Sequence, residues 1–203
     1  MISAFDKNES RILRRLKTPF AIQRFLDYEL GYNKEPDGPT CRSPRRVMRD
    51  HLAHCMEGAL MAAAALAFHR FPPLLVDLKA VDDDDHVLAV YRRGGCWGAV
   101  AMSNYSGLRS REPVYRGLRE LVMSYFEHYY SLRGRKTLRS YSRPVNLRRF
   151  AHLPWTTSEE DVWEIPEHLV RMPHTPLLTR TVERRLSPVD RRLSLAGLVG
   201  SAE

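Results

Sequence analysis

Two short stretches of the chain carry the side chains that are best suited to chemistry. The first is His54-Cys55-Met56-Glu57-Gly58-Ala59, and the second is Asp85-His86-Val87. A thiol at the predicted start of a helix lies at the positive end of the helix dipole, where free backbone N–H groups favour the thiolate. An imidazole from another element can take the thiol proton and pass it to a leaving amine. This spacing favours nucleophilic attack on a carbonyl, with Cys55 as nucleophile and His86 as base.

The same residues also have structural interpretations. A free cysteine in an alanine-rich helix is more often a small buried apolar residue. His54 points to a different helix face from Cys55, so it is not the expected base. The run Asp82–Asp85 lacks the pattern of a cation-binding loop, and adjacent carboxylates more often cap or solvate a turn. We therefore expect no metal site and no cofactor.

Hydrophobic periodicity predicts the helices that must position these residues. Thr18-Pro19 and Ser43-Pro44 both combine an N-cap residue with proline at the first helical position. The first predicts a helix over about residues 18–30, and the second predicts a helix that runs toward the thiol. The alanine-rich segment from Cys55 to Phe68 predicts a central helix that is buried on most of its circumference.

A β-hairpin is predicted directly after the four aspartates. His86–Tyr91 and Cys96–Met102 have the composition of strands, and Gly94-Gly95 supplies a tight turn between them. The register set by this turn, continued along both strands, places Ser103 opposite His86.

The remaining segments complete the predicted domain organisation. Glu112-Pro113 predicts the start of a helix whose apolar stripe extends to Tyr129, whereas five prolines after Ala151 predict a loop-like end. We predict one α+β domain over residues 18–150, preceded by an N-terminal arm at 1–17. Residues 151–203 are expected to form a proline-rich extension that wraps the same domain.

Composition limits the expected compartment and partners. No apolar run approaches the ~20 residues that span a bilayer, the N-terminus lacks a signal-peptide pattern, and three cysteines without CxxC spacing argue against disulfides and structural zinc. We expect a cytoplasmic protein with no membrane partner. The net charge of +8 comes mainly from scattered arginines without a nucleic-acid-binding motif. No specific nucleic-acid partner is therefore expected, although nonspecific association stays an alternative, and the oligomeric state is open.

The order of the motifs resembles the core of the transglutaminase-like superfamily, which includes bacterial cysteine peptidases and amidases. The matching features are Cys-x-Glu-Gly-Ala, an alanine-rich helix, a Pro-Pro turn, a strand, Asp-His-Val and Trp-Gly-Ala-Val, within about residues 42–108. The resemblance implies a papain-like α+β core in which a cysteine-bearing helix packs on a small antiparallel sheet. It also implies that Cys55 is the nucleophile and His86 the base. Trp97 and Glu57, from the same motifs, are candidate substrate-binding residues.

The third member of the expected triad departs from the family pattern. The aspartate that usually follows the tryptophan would fall near Ala101, and the nearest polar residues are Ser103 and Asn104. The hairpin register favours Ser103, but a single β-bulge would exchange it for Asn104. An amide oxygen also reaches farther toward the imidazole N–H. We predict Asn104 as the orienting residue, with Ser103 as the alternative.

Together these residues predict a cysteine-dependent hydrolase or acyltransferase that uses a Cys-His-(Asn/Ser) triad. The expected substrate is a peptide, a protein or another amide. The alternative is a catalytically silent module on the same fold, which binds a peptide or protein around Cys55 and Trp97 without turnover.

Overall fold

The computed structural model describes residues 5–201. Its α-helices are α1 (Lys7–Arg15), α2 (Pro19–Tyr28), α3 (Pro44–Asp50), α4 (Cys55–Phe68), α5 (Leu118–Met123), α6 (Glu164–Arg171), α7 (Arg180–Glu183) and α8 (Arg191–Gly197). Its strands are β1 (Gly31–Tyr32), β2 (Leu52–Ala53), β3 (Leu74–Ala80), β4 (His86–Arg93), β5 (Cys96–Val100), β6 (Arg111–Tyr115), β7 (Leu138–Ser142), β8 (Val145–Asn146) and β9 (His174–Pro176). None of the helices in this part of the chain is long and apolar enough to cross a membrane.

An antiparallel sheet forms the centre of the fold. Its strand order is β6-β5-β4-β3-β7-β9, and β8 pairs with β3 beside β7. Strands β1 and β2 form a separate parallel pair near the start of α4. This combination of helices with a mostly antiparallel sheet confirms the predicted α+β class.

Helices cover both faces of the sheet. Because successive side chains of a strand point to opposite faces, a single strand can contribute to the core on each side. On β4, Val87, Ala89 and Tyr91 belong to the core that contains α4. Leu88 and Val90 belong to a second core, on the other face, that contains α5 and the aromatic residues after it. The two cores therefore place α4 and α5 on opposite sides of the same strand.

Helix α4 is the central helix that the sequence predicts. Eleven of its 14 residues are buried, and most of them are alanine, leucine or methionine. Small residues allow a close approach to the chain after β5, because a Cβ atom added at Gly58 would lie only 2.4 Å from the Cβ of Met102. Glycine at this position therefore sets the distance between α4 and the hairpin.

The predicted hairpin register is correct over the strands themselves. Ala89 pairs with Val100 across the Gly94-Gly95 turn. The ladder ends there because the side-chain amide of Gln23 bonds both backbone groups of Ala101, at 2.8 and 3.0 Å, in place of a strand partner. Ser103 therefore does not continue the ladder opposite His86.

The helix predicted from Glu112-Pro113 to Tyr129 is wrong in its first part. Residues 111–115 form β6, which is an edge strand, and proline is tolerated at a sheet edge because no ladder N–H is needed there. The helix begins only after Gly117, and a 3-10 turn at Phe126–His128 follows it. The apolar stripe nevertheless packs in the second core as expected.

The terminal segments are more structured than the sequence suggests. Within the predicted arm, α1 is capped by Asp6 and buries Leu13 completely, whereas residues 1–4 lie outside the described residues. The predicted loop-like extension contains α6, β9, α7 and α8, and β9 joins the main sheet through β7. Residues 202–203 of this extension also lie outside the described part.

Substitution of Gly58 tests the close approach of α4 to the hairpin. We expect Gly58→Ala to destabilise the protein by about 1–3 kcal/mol, because the new methyl group meets the Met102 Cβ rather than a flexible side-chain end. Urea unfolding at pH 7 measures the change. Gly117→Ser is the control, because its added Cβ meets no atom within 4 Å beyond its chain neighbours, and serine is favoured at the N-cap position that Gly117 occupies; a loss equal to that of Gly58→Ala would contradict the account.

Candidate active site

The side chain of His54 caps the helix that carries Cys55. Its Nδ1 accepts the Met56 N–H at 3.2 Å, and its Nε2 lies 2.9 Å from the carbonyl oxygen of Thr40. Because a carbonyl oxygen only accepts, Nε2 carries the proton and Nδ1 carries the lone pair. His54 therefore has a structural role, which agrees with the expectation that it is not the base.

The buried carboxylate of Glu57 organises the chain around this cap. Glu57 has no exposed surface, and its oxygens accept the His54 N–H at 3.0 Å, the Arg42 N–H at 2.9 Å and the Thr40 hydroxyl at 2.8 Å. The Arg42 guanidinium completes the cluster with an ion pair at 3.1 Å. Our prediction that Glu57 contacts substrate is therefore corrected, because protein groups surround its carboxylate completely.

A cavity of about 370 Å³ opens where the starts of α4 and β4 meet. Cys55, His86 and Ser103 all contribute to its wall, so the structure brings three of the predicted residues together. The other lining residues are Tyr32, Asn33, Lys34, Glu35, His54, Asp83, Asp84, Asp85, Tyr105, Leu108, Tyr129 and Tyr130. Across residues 5–201, no group of three or more histidine, cysteine, aspartate or glutamate side chains is arranged to hold a metal ion.

The imidazole of His86 is held in one tautomer. Its Nε2 lies 2.9 Å from the carbonyl oxygen of Leu108, so Nε2 must donate and Nδ1 keeps its lone pair. Within residues 5–201, no hydrogen-bond partner faces Nδ1. Burial lowers the pKa of His86 to about 4, although the Leu108 carbonyl opposes this shift. The ring is therefore neutral at pH 7 and presents Nδ1 as a proton acceptor.

The thiol of Cys55 is also neutral at pH 7. Part of the residue faces the cavity, and desolvation by the surrounding protein raises the pKa of the Cys55 thiol to about 12. The backbone N–H groups of Val87 and Met56 point to the sulfur and oppose the shift, whereas Asp84 adds to it. The sulfur lies 4.0 Å from the carbonyl oxygen of Asp85. The two side chains that line this cavity, the thiol and the imidazole, are therefore both neutral at pH 7 and do not form an ion pair.

A backbone carbonyl occupies the place that we predicted for Asn104 or Ser103. The Nε2–H of His86 donates to Leu108, while Ser103 Oγ accepts the Tyr105 N–H at 3.0 Å. Asn104 lines a smaller neighbouring cavity of about 160 Å³. The chain turns away from the hairpin after Ala101, so these side chains do not follow the strand alternation on which the prediction depended.

Trp97 lies away from the cavity. It is on β5, on the face that carries the second core, and the guanidinium of Arg92 lies 5.2 Å from the centre of its ring. Helix α4 covers the opposite face of the sheet. The prediction that Trp97 contacts substrate is therefore not supported by its position.

Sequence reasoning missed the aromatic wall of the cavity. The ring of Tyr129 meets that of His86 edge to face, with centroids 6.5 Å apart, and its hydroxyl donates to the Asp84 carbonyl oxygen at 2.5 Å. Tyr129 is visible in the sequence only as a member of an apolar stripe. Leu108 has no sequence signal at all, because it acts through its backbone.

Comparisons with known proteins identify no family for this chain. The sequence matches no protein-family model, and a search of curated proteins finds no relative. The resemblance to transglutaminase-like proteins thus depends on the order of motifs alone and stays a prediction.

Removing the charge of Glu57 tests its role in organising the site. We expect Glu57→Gln to lower the free energy of unfolding by about 1–3 kcal/mol, because the largely buried Arg42 guanidinium loses its carboxylate partner at 3.1 Å and keeps only Asp50, at 3.4 Å. Glu29→Gln removes the carboxylate of an exposed pair with Arg15 and should cost under about 1 kcal/mol. Urea unfolding measures the free energy of unfolding of both variants. Equal losses of this free energy would contradict the organising role of Glu57.

Acid titration tests the burial of His86. The unfolded chain takes up a proton below the ordinary histidine pKa of 6.5, whereas folded His86 does so only near 4, so stability falls as the pH drops between these values. From pH 7 to pH 5 the wild type should lose about 2 kcal/mol more than His86→Gln. Urea unfolding at the two pH values measures the difference. Identical losses would show that His86 titrates normally in the folded protein.

Proposed function

We propose that this protein is a cysteine-dependent hydrolase or acyltransferase, with a transglutaminase-like arrangement, that acts on an amide or peptide bond. The observation that carries the proposal is the shared cavity of Cys55 and His86, in which the lone pair of Nδ1 is available as a base. A thiol and an imidazole supplied by two elements, with the imidazole oriented by a third, form the arrangement that thiol catalysis requires.

The first step starts from a neutral pair. As Sγ of Cys55 attacks the carbonyl carbon, its proton passes to Nδ1 of His86, so the sulfur–carbon bond forms while the S–H bond breaks. The negative charge that develops on the carbonyl oxygen needs hydrogen-bond donors. The N–H of Val87, which already points to the sulfur, is the candidate for this role, since the N–H of Met56 donates to Nδ1 of His54.

The second half of the reaction returns the proton. The imidazolium donates it to the leaving nitrogen, the carbon–nitrogen bond breaks, and an acyl group stays on Cys55 as a thioester. Leu108 supports this step, because its carbonyl oxygen accepts the Nε2–H and stabilises the charged ring. Water then gives hydrolysis, whereas an amine gives acyl transfer.

A second candidate function is a binding module without turnover. The observation in its favour is electrostatic: burial raises the pKa of Cys55 to about 12 and lowers that of His86 to about 4. Both shifts oppose the ion pair through which many thiol enzymes act. In such a module the tyrosine-lined cavity would hold a peptide without attack on it.

Acylation by an activated ester separates these two functions. We expect 4-nitrophenyl acetate to acetylate Cys55, with release of nitrophenolate, and His86→Gln to slow this reaction by about 10²–10⁴-fold because the base is lost. Peptide mapping by mass spectrometry locates the acetyl group, and absorbance follows the rate. Cys96→Ala removes the other partly exposed thiol and should leave the rate unchanged.

The outcome is decisive in either direction. An acetyl group on Cys55 whose formation needs His86 supports the hydrolase or acyltransferase. Acetylation of Cys55 at the same rate in His86→Gln, or no acetylation of Cys55 at all, favours the binding module.

A further inference from the structure

The cavity has a charge opposite to that of the whole protein. The chain carries a net charge of +8, but one lysine, Lys34, and four acids line the cavity. The acids are Glu35, Asp83, Asp84 and Asp85. A concave site with one sign of charge raises the local concentration of ligands of the opposite sign. The lining therefore favours cationic ligands even though the rest of the protein repels them.

The acids beside His86 are not equivalent. Asp85 accepts the Ala80 N–H at 2.9 Å, and Asp83 accepts the Thr137 hydroxyl at 2.6 Å, so both carboxylates have partners within the fold. The carboxylate of Asp84 has no hydrogen bond or ion pair with any residue in the described range 5–201. Asp84 is therefore the acid that is free to meet a ligand.

The field of Asp84 extends to the groups around the thiol. This carboxylate raises the pKa of Cys55, of Tyr32 and of Tyr105, although burial is the larger cause in each case. Asp84 consequently disfavours the thiolate form of Cys55. A positive charge beside Asp84 would offset this effect and favour the nucleophilic form.

A separate observation marks the ligand position. His86 is only 4% exposed, it lines the cavity, and the described chain offers its Nδ1 no partner. Tyr32, Tyr105 and Tyr130 contribute aromatic rings to the same wall. Aromatic faces attract Lys and Arg side chains through their quadrupole. The Nδ1 atom of His86, which no described residue bonds, and the tyrosine side chains of the wall thus support the charge argument independently.

We propose that the cavity selects amide substrates that carry a lysine or arginine side chain next to the reacting carbonyl, and that the Asp84 carboxylate determines this specificity. The inference rests on the proposed function for the identity of the amide. The preference for positive charge, however, can be measured on the thiol itself without turnover.

Charge-matched methanethiosulfonates provide that measurement. The Cys55 thiol loses its proton to the solvent, its sulfur attacks the sulfenyl sulfur of the reagent, a disulfide forms, and methanesulfinate leaves with the bonding electron pair. The trimethylammonioethyl reagent is cationic, and the sulfonatoethyl reagent is anionic. Rates are measured at Cys55 in a Cys96→Ser background, with the third cysteine, Cys41, buried. The preference is the rate constant for the cationic reagent divided by that for the anionic reagent. We expect this ratio to be about ten times higher for Cys55 than for N-acetylcysteine.

Two neighbouring aspartates give matched variants. Asp84→Asn should reduce the preference about threefold, since it removes the unpaired carboxylate. Asp82→Asn should leave it unchanged, because Asp82 is absent from the cavity wall and faces Arg135 at 3.7 Å. Asparagine also tolerates the left-handed backbone of Asp82, whose φ is 52°.

The results distinguish this inference from the proposed function. Three results would overturn the specificity. They are a preference equal to that of N-acetylcysteine, a preference that Asp84→Asn does not reduce, and no labelling of Cys55 by either reagent. A cation preference that depends on Asp84, without any acetylation by 4-nitrophenyl acetate, would keep the cationic site and reject the enzyme. Acetylation that needs His86, without a cation preference, would support the enzyme and reject the cationic site.

Discussion

The buried carboxylate of Glu57 is the interaction on which the site depends. A carboxylate without exposure is tolerated only when its oxygens are fully paired, and here the donors come from both sides of the site. Arg42 and Thr40 belong to the chain before α3, whereas the His54 N–H belongs to the cap of α4. Because all of these groups must be in place together, the carboxylate fixes the first turn of α4 and thus the direction of Cys55.

A second constraint places the imidazole opposite that turn. Gln23 ends β5 at Ala101 by bonding both of its backbone groups. The chain that follows turns across the start of β4, where Leu108 presents its carbonyl oxygen to His86. The tautomer of His86 therefore depends on a glutamine on α2 that is remote in sequence. The cavity lies between these two fixed elements, and its acidic and aromatic wall comes from the loops that they bring together.

The sequence predicts those parts of the fold that local rules determine. The proline-capped helices α2 and α3, the apolar helix α4 and the register around Gly94-Gly95 all depend on residues close in the chain. The features that depend on contacts between distant parts of the chain were missed or predicted wrongly. Pro113 lies in a strand, which is possible because that strand is at the edge of the sheet. Glu57 is buried, which is possible because Arg42 pairs with its carboxylate. For the site, Cys55 and His86 could be proposed from type and spacing. Leu108 could not, because any residue supplies a carbonyl oxygen.

The central claim is that His86 presents an unprotonated Nδ1 to the cavity while Leu108 holds its Nε2–H. Two-bond ¹H–¹⁵N correlation spectra of ¹⁵N-labelled protein between pH 7 and pH 5, assigned with His86→Gln, report the tautomer and charge of this ring directly. We predict the Nε2–H tautomer, with the ring neutral throughout, because the pKa is about 4. An Nδ1–H tautomer, or a ring protonated already at pH 6, would contradict the assignment of His86 as the base.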